Sequence, residues 1–216
     1  RQNNKIFHHS ATTLIDPSLL KVARVDAGVA PADAGPGALA GSVAYETLDA
    51  RDLLQAGQAL GGQLKSEYDD NGGVWAHSAA LYGQHRGFEV LGFVKQASGG
   101  RKDDGDGRRI EGSGTDLFSG LGKLAYQADS GHRFELSHEQ VQDDEARPYR
   151  ANIGRVTVGR PVPATRQYDM QRRNTVFTYT DENPQGWWDP TVQLAYSVTE
   201  LRLPEANQLS RGHTDS

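Results

Sequence analysis

Residues 191–201 read TVQLAYSVTEL, and their alternation decides the fold. Val192, Leu194, Tyr196 and Val198 fall on one side of an extended chain, and Gln193, Ala195, Ser197 and Thr199 on the other. The stretch 175–180, TVFTYT, repeats the arrangement, with Thr175, Phe177 and Tyr179 set against Val176, Thr178 and Thr180. A period of two is the signature of a strand with two different environments. An apolar face backed by a small or polar one is what a wall between lipid and water requires.

Working back along the chain, the same period recurs between turn residues. Strands are expected over 61–70, 74–84, 88–96, 115–127, 132–142, 167–180 and 191–203, seven in all. At eight to fourteen residues they are long for globular sheets, whose strands mostly run about five to six residues, and suit tilted membrane strands of about ten. The connections sort by length. HRG, ADSG and DENPQG are short, whereas 98–114 and 141–166 are long and polar. Alternate connections of an antiparallel meander lie at the same end, so one end is tightly turned and the other carries large loops. DDNGG, near residue 70, is a short connection at the long-loop end. Trp187 and Trp188 follow a short turn, where an aromatic belt would meet headgroups.

Composition fits this reading. The 216 residues include 25 glycines, eight tyrosines and three tryptophans against one methionine and no cysteine, a balance that favours strands and turns over helices. A net charge of −5 argues against a nucleic-acid partner, which needs clustered cations. No apolar run approaches the roughly 18 residues of a spanning helix. Without cysteine there is no disulfide scaffold and no thiolate metal site. Arg1 opens the chain without a signal-type segment, and PEANQLSRGHTDS near its end carries no closing strand signal, so a fragment of a longer protein is expected. No nucleophile-and-base set or paired carboxylates stand out, and no enzymatic activity is expected.

Residues 1–50 differ. Glycine and alanine density in VAPADAGPGALAGSVAYETLD, 29–49, suggests tight packing inside another element. Three motifs stand out here: Asp16, Pro17, Leu19, Lys21, Val22, Val25 and Gly28; Gly37, Ala38, Leu39 and Gly41; and Asp49, Ala50, Asp52, Leu53, Leu54 and Gly57. On these the sequence resembles TonB-dependent outer-membrane receptors, most closely their haem and haemoglobin receptor subfamily. Ala40 departs from the family's glycine. The resemblance covers residues 1 to about 57 and is architectural beyond. It implies an all-β fold with a small α+β plug remnant: a partial antiparallel transmembrane β-barrel, part of a 22-stranded plugged receptor. Residues 1–50 would be the C-terminal part of the plug and 51–216 the N-terminal barrel strands.

The implied function is TonB-dependent uptake of haem, as free haem or from a haem-carrying protein, through the outer membrane of a Gram-negative bacterium. Its partners would be haem as transported ligand, outer-membrane lipid, and the TonB complex acting through a segment outside this chain. The resemblance also implies an axial ligand to haem iron on an apical plug loop, at His9 with His8 beside it; neutral imidazole is a fitting ligand. A ferric-siderophore receptor would rely on aromatic and arginine side chains instead, and a soluble all-β binding module would leave the motifs at 16–28 and 49–57 unexplained.

Other candidates read as structural. His132 and His138 share a strand face, which could be the lumen, but lack further metal ligands. His77 and His85 read as wall or turn residues. GSGTDLFSGLGK, 112–123, has glycines but not the order of a phosphate loop. Arg101, Lys102, Asp103, Asp104, Asp106, Arg108 and Arg109 read as a solvated external loop, with contact to a host haem protein as the functional alternative.

Overall fold

The computed structural model describes residues 14–28, 41–149, 163–203 and 212–215. Its main element is an eight-stranded antiparallel sheet in simple chain order. The strands are β3 (Leu60–Asp69), β4 (Val74–His85), β5 (Phe88–Gly99), β6 (Thr115–Gln127), β7 (His132–Pro148), β8 (Thr165–Asp181), β9 (Thr191–Arg202) and β10 (Gly212–Asp215). A separate hairpin pairs β1 (Leu20–Ala27) with β2 (Gly41–Thr47). A 3-10 turn at Pro17–Leu19 precedes β1, and one helical turn, α1 (Ala50–Leu53), follows β2.

All seven expected strands are present. β7 and β8 exceed expectation at 17 residues each, so the 141–166 connection narrows to 149–164. Polar side chains of the extended strands bond across them, as where Gln167 Nε2 donates to Asp144 Oδ1 at 2.7 Å. The polar end of the chain, which carries no closing strand signal, supplies β10, which pairs with β9.

Tight turns sit where backbone chemistry dictates. His85 and Phe88 are paired, leaving Arg86 and Gly87 as a two-residue hairpin loop with φ of 48° and 81°. Two successive positive φ values define the primed turn that matches strand twist.

Cross-strand register fixes which residues share a face. One face carries Leu64 on β3, Leu81 on β4, Val90 and Val94 on β5, Leu124 on β6, Leu136 on β7, Phe177 on β8 and Leu194 on β9. Nearly all of these are exposed. The opposite face carries Lys95, Ser119, Lys123, Arg133, Glu139 and Arg172, and the segments 14–19 and 48–54 pack against it. We call these the outer and inner faces.

The apolar outer band slants across the rows of paired residues. Thr175, the last outward residue of β8 before Arg173, lies in one row with His138, Gly122, Gly92 and Leu81. On β4 the band continues from Leu81 to Trp75, six residues further. That is about 20 Å along a strand against about 19 Å across four strands, a tilt of roughly 45°. Membrane barrels incline their strands by about 35–45°. Aromatic pairs mark both limits of the band: Tyr68 with Trp75 at one, Phe88 with Tyr126 and Phe134 with Tyr179 at the other.

Candidate functional site: the inner wall and the segment docked on it

Two short pieces of chain, 14–19 and 48–54, stand together on the inner face of β5 and β6. The Leu48 amide donates to the Leu19 carbonyl at 2.9 Å, joining the pieces. Leu19 is 0% exposed and packs in one apolar cluster with Ala50, Leu91 and Leu121, flanked by Leu48, Leu53, Tyr82 and Phe93. Apolar burial of this kind is non-directional. Orientation comes from polar contacts on either side.

On one side is Asp16, 1% exposed. Pro17 begins the 3-10 turn and Asp16 caps it, Oδ1 accepting from the Ser18 amide at 3.0 Å. The same oxygen accepts from Lys95 Nζ at 3.2 Å, and Oδ2 accepts from the Ser119 hydroxyl. Lys95 also donates to Ser18 Oγ at 2.8 Å. Burial pushes the Asp16 carboxyl up, but its hydrogen bonds from Ser119 and Ser18 and the Lys95 charge outweigh this and leave it lowered.

On the other side is Asp49, which accepts from Lys123 Nζ at 2.6 Å and from Lys21 Nζ at 2.6 Å. Burial again opposes ionisation, yet the two ammonium groups bring the carboxyl from 3.8 down to about 2. Lys21 is raised: burial lowers it, and Asp49 and Asp52 overcome that. The network continues along the wall. Lys123 meets Glu135 at 3.0 Å, Arg133 meets Glu89 at 2.6 Å, and Arg51 of α1 meets Glu182 of the β8–β9 turn at 2.8 Å. Hydrogen bonding to Glu182 raises Arg51, and the reciprocal bond lowers Glu182. Buried charges need this degree of pairing to be tolerated. A final contact joins Arg172 to the Leu14 carbonyl at 3.1 Å while its other nitrogen holds Glu139 at 2.9 Å.

His8 and His9 lie outside the described residues. His132 and His138, for which a lumen-facing position was open, share the outer face with Phe134 and Leu136 because all four have the same parity in β7. His132 Nδ1 is 3.1 Å from the Tyr179 hydroxyl, His138 Nδ1 is 2.8 Å from Thr175 Oγ1, and His77 Nδ1 is 3.0 Å from Ser66 Oγ. No group of three or more metal-ligating side chains occurs among the described residues. The glycine-rich stretch ending at Lys123 is largely β6, with Lys123 committed to Asp49 and Glu135.

The charged loop after β5 pairs its charges within itself and with Asp69 at the end of β3. Arg101 pairs with Glu111, Lys102 with Asp69, Arg108 with Asp106 and Arg109 with Asp103. Asn71 and Asp103 exchange two hydrogen bonds, of 2.9 and 2.7 Å, tying this loop to the β3–β4 turn. From the other side Arg147 donates to the carbonyls of Gly112 and Gly114, at 3.0 and 2.7 Å.

Sequence reasoning missed the docking residues Lys95, Ser119, Lys123, Glu139 and Arg172. Their signal was parity: in β5 and β6, Lys95, Ser119 and Lys123 alternate with a side that is mostly apolar or glycine. Which partner each would meet lay up to 158 residues away, as for Arg172 and Leu14.

No family model matches the chain. Among individual proteins it is 35% identical over 193 residues to the heme transporter BhuA of Brucella ovis, covering 88% of this chain and 28% of that protein. It is 33% identical over 132 residues to the TonB-dependent heme receptor A of Haemophilus influenzae, covering 60% of this chain and 18% of that one. Among solved structures, the FrpB iron transporter of Neisseria meningitidis superposes with a TM-score of 0.76 at 26% identity, over 87% of this chain and 30% of that chain. The hemophore receptor HasR of Serratia marcescens, solved with its hemophore HasA and heme, shares the fold with a TM-score of 0.71 at 24% identity, over 88% of this chain and 27% of that one. The chain thus spans under a third of the length of these relatives. From its slanted apolar wall, its inner docked segment and these relatives, the chain belongs to the TonB-dependent receptors, alongside the haem receptors of that family.

Proposed function

We propose that this chain is part of a receptor that carries haem inward across the outer membrane of a Gram-negative bacterium, driven by the TonB complex. Residues 1–50 are the end of the plug and 51–216 the first barrel strands. The observation that carries the reading is a haem-transporter relative aligned over 88% of the chain. The slanted outer band supports lipid contact, and the polar inner face supports a water-filled or plugged interior. The role is transport without catalysis. Haem arrives free or on a carrier protein, and His9, with His8 adjacent, supplies an axial ligand to its iron from the plug.

The test is iron-restricted growth of a receptor-deleted host complemented with the full-length gene. Haem as sole iron source supports growth, and loss of TonB abolishes it. Growth on a ferric siderophore but not on haem overturns the haem assignment in favour of siderophore transport.

A further inference from the structure

We propose that Arg166 and Tyr149 form a carboxylate-binding site on the inner face, near the outer mouth of the receptor, where the transported ligand makes first contact through an acidic side group. This rests on the proposed transport reading, in which that group is a haem propionate. Arg166 stands at the start of β8 and shares the inner face with Tyr168, Met170 and Arg172. It lies about 20 Å along the strand from Arg172, toward the end that carries the long connections. The docked segment stays on the other side of that interval, reaching Arg172 at Leu14.

Register sets Arg166 directly opposite Arg147 of β7, and like charges so placed repel. Only Arg147 is neutralised. It holds both oxygens of Asp143 and donates its remaining nitrogen to the Gly112 and Gly114 carbonyls. Among the described residues Arg166 meets no carboxylate, and its guanidinium donates to the Tyr149 hydroxyl alone, at 3.1 Å. Glu145, the adjacent inward acid of β7, accepts instead from the Ala146 amide at 2.8 Å. The uncompensated cation is held in a set pose. Its guanidinium carbon stands 4.4 Å from the centroid of the Tyr149 ring, a cation–π contact. Tyr149 is fixed in turn, its amide donating to the Ala164 carbonyl at 3.0 Å and its carbonyl accepting from the Tyr168 hydroxyl at 3.2 Å. Stacking on a ring leaves the guanidinium edge available, and that planar fork of N–H donors matches a carboxylate. The Tyr149 hydroxyl accepts from Arg166 and so keeps its own proton to donate to a carboxylate oxygen. A lipid phosphate does not reach a cation on the inner face, so the acid that this site suits is one carried by the ligand in passage.

The test follows capture of ferric haem by the purified full-length receptor in detergent, with haem dimethyl ester, whose propionates carry no charge, as the paired probe. Stopped-flow quenching of tryptophan fluorescence gives the association rate. Arg166→Gln is expected to slow capture of haem by about tenfold, through loss of a charged hydrogen bond, and to leave capture of the ester unchanged. Arg166→Lys, which keeps the charge, is expected to recover part of the rate. The ester also reports folding, because a misfolded receptor loses both probes alike. Equal slowing of the two probes, or no slowing of haem, overturns the site. A parent receptor that captures neither haem nor its ester, yet binds ferric citrate and does so about tenfold more weakly after Arg166→Gln, overturns the haem reading and leaves the carboxylate site standing. A parent that binds none of the three, or ferric citrate binding that Arg166→Gln does not weaken, overturns both.

Discussion

At the scale of single residues, the informative groups are carboxylates buried beside lysines. Asp49 shows the sign of the effect. Its carboxyl is depressed from 3.8 to about 2, so its contribution to docking is complete above 3.8 and is lost as pH falls toward 2. Hydrogen-exchange protection of residues 48–54 in the full-length receptor should hold from neutral pH to about pH 4 and collapse below it. Protection that fades already between pH 7 and 5 contradicts the assignment. Asp49→Asn should cost about 2 kcal/mol of local docking stability, since it removes a charged hydrogen-bond acceptor from Lys123 and leaves that lysine with Glu135 alone. The same exchange measurement reads this, with Lys65→Gln, on an exposed pair, expected to change it by less than about 1 kcal/mol. For His9, the expectation is functional: His9→Ala in the full receptor weakens haem binding and shifts the Soret band, and an unchanged spectrum and affinity would refute ligation.

At the scale of elements, hairpins and braces divide the labour. The turn at Arg86 and Gly87 needs left-handed backbone at both positions, and a Cβ on Gly87 would lie 2.4 Å from the Gln127 carbonyl oxygen. Gly87→Val should lower stability by about 2 kcal/mol or more through strain and clash together, read as a reduced denaturant midpoint of the refolded receptor. At the opposite end of the strands, Arg147 braces the charged loop by two carbonyls while Asp143 holds its guanidinium, Nε lying 3.0 Å from Oδ2. Arg147→Ala should raise exchange at residues 110–114 with little change at 74–85; equal exchange in both segments would show that the brace is dispensable. That loop pairs its charges within itself and with Asp69 of β3, which argues against it as a charged landing site for a carrier protein.

At the scale of the whole molecule, the sheet has edges at β3 and β10 and an outward face of leucine, valine and aromatic side chains. Unpaired edges and a broad apolar face together predict association in water. The isolated 216-residue chain should sediment without detergent. A monodisperse, folded, detergent-free monomer would favour the soluble binding-module alternative over a membrane wall.

What the sequence determined by itself was local. A period of two gave each strand its faces and, with turn residues such as those at 86–87, placed β3 to β9, because alternation and turn chemistry act between near neighbours. Composition excluded helical spanning and cysteine chemistry for the same reason: it needs no knowledge of contacts. Tertiary structure decided what depends on distant partners. Residues 143–148 and 165–166 look like loop by composition, yet they pair as strand, 143–146 with 167–170 and 147–148 with 165–166. The direction in which His132 and His138 point was settled only when the docked segment showed which face is inner. Lys95, Lys123 and Ser119 acquired a role only through Asp16 and Asp49, more than seventy residues away in the chain, since a buried charge is stabilised by whatever folding brings within hydrogen-bond reach and not by its sequence neighbours.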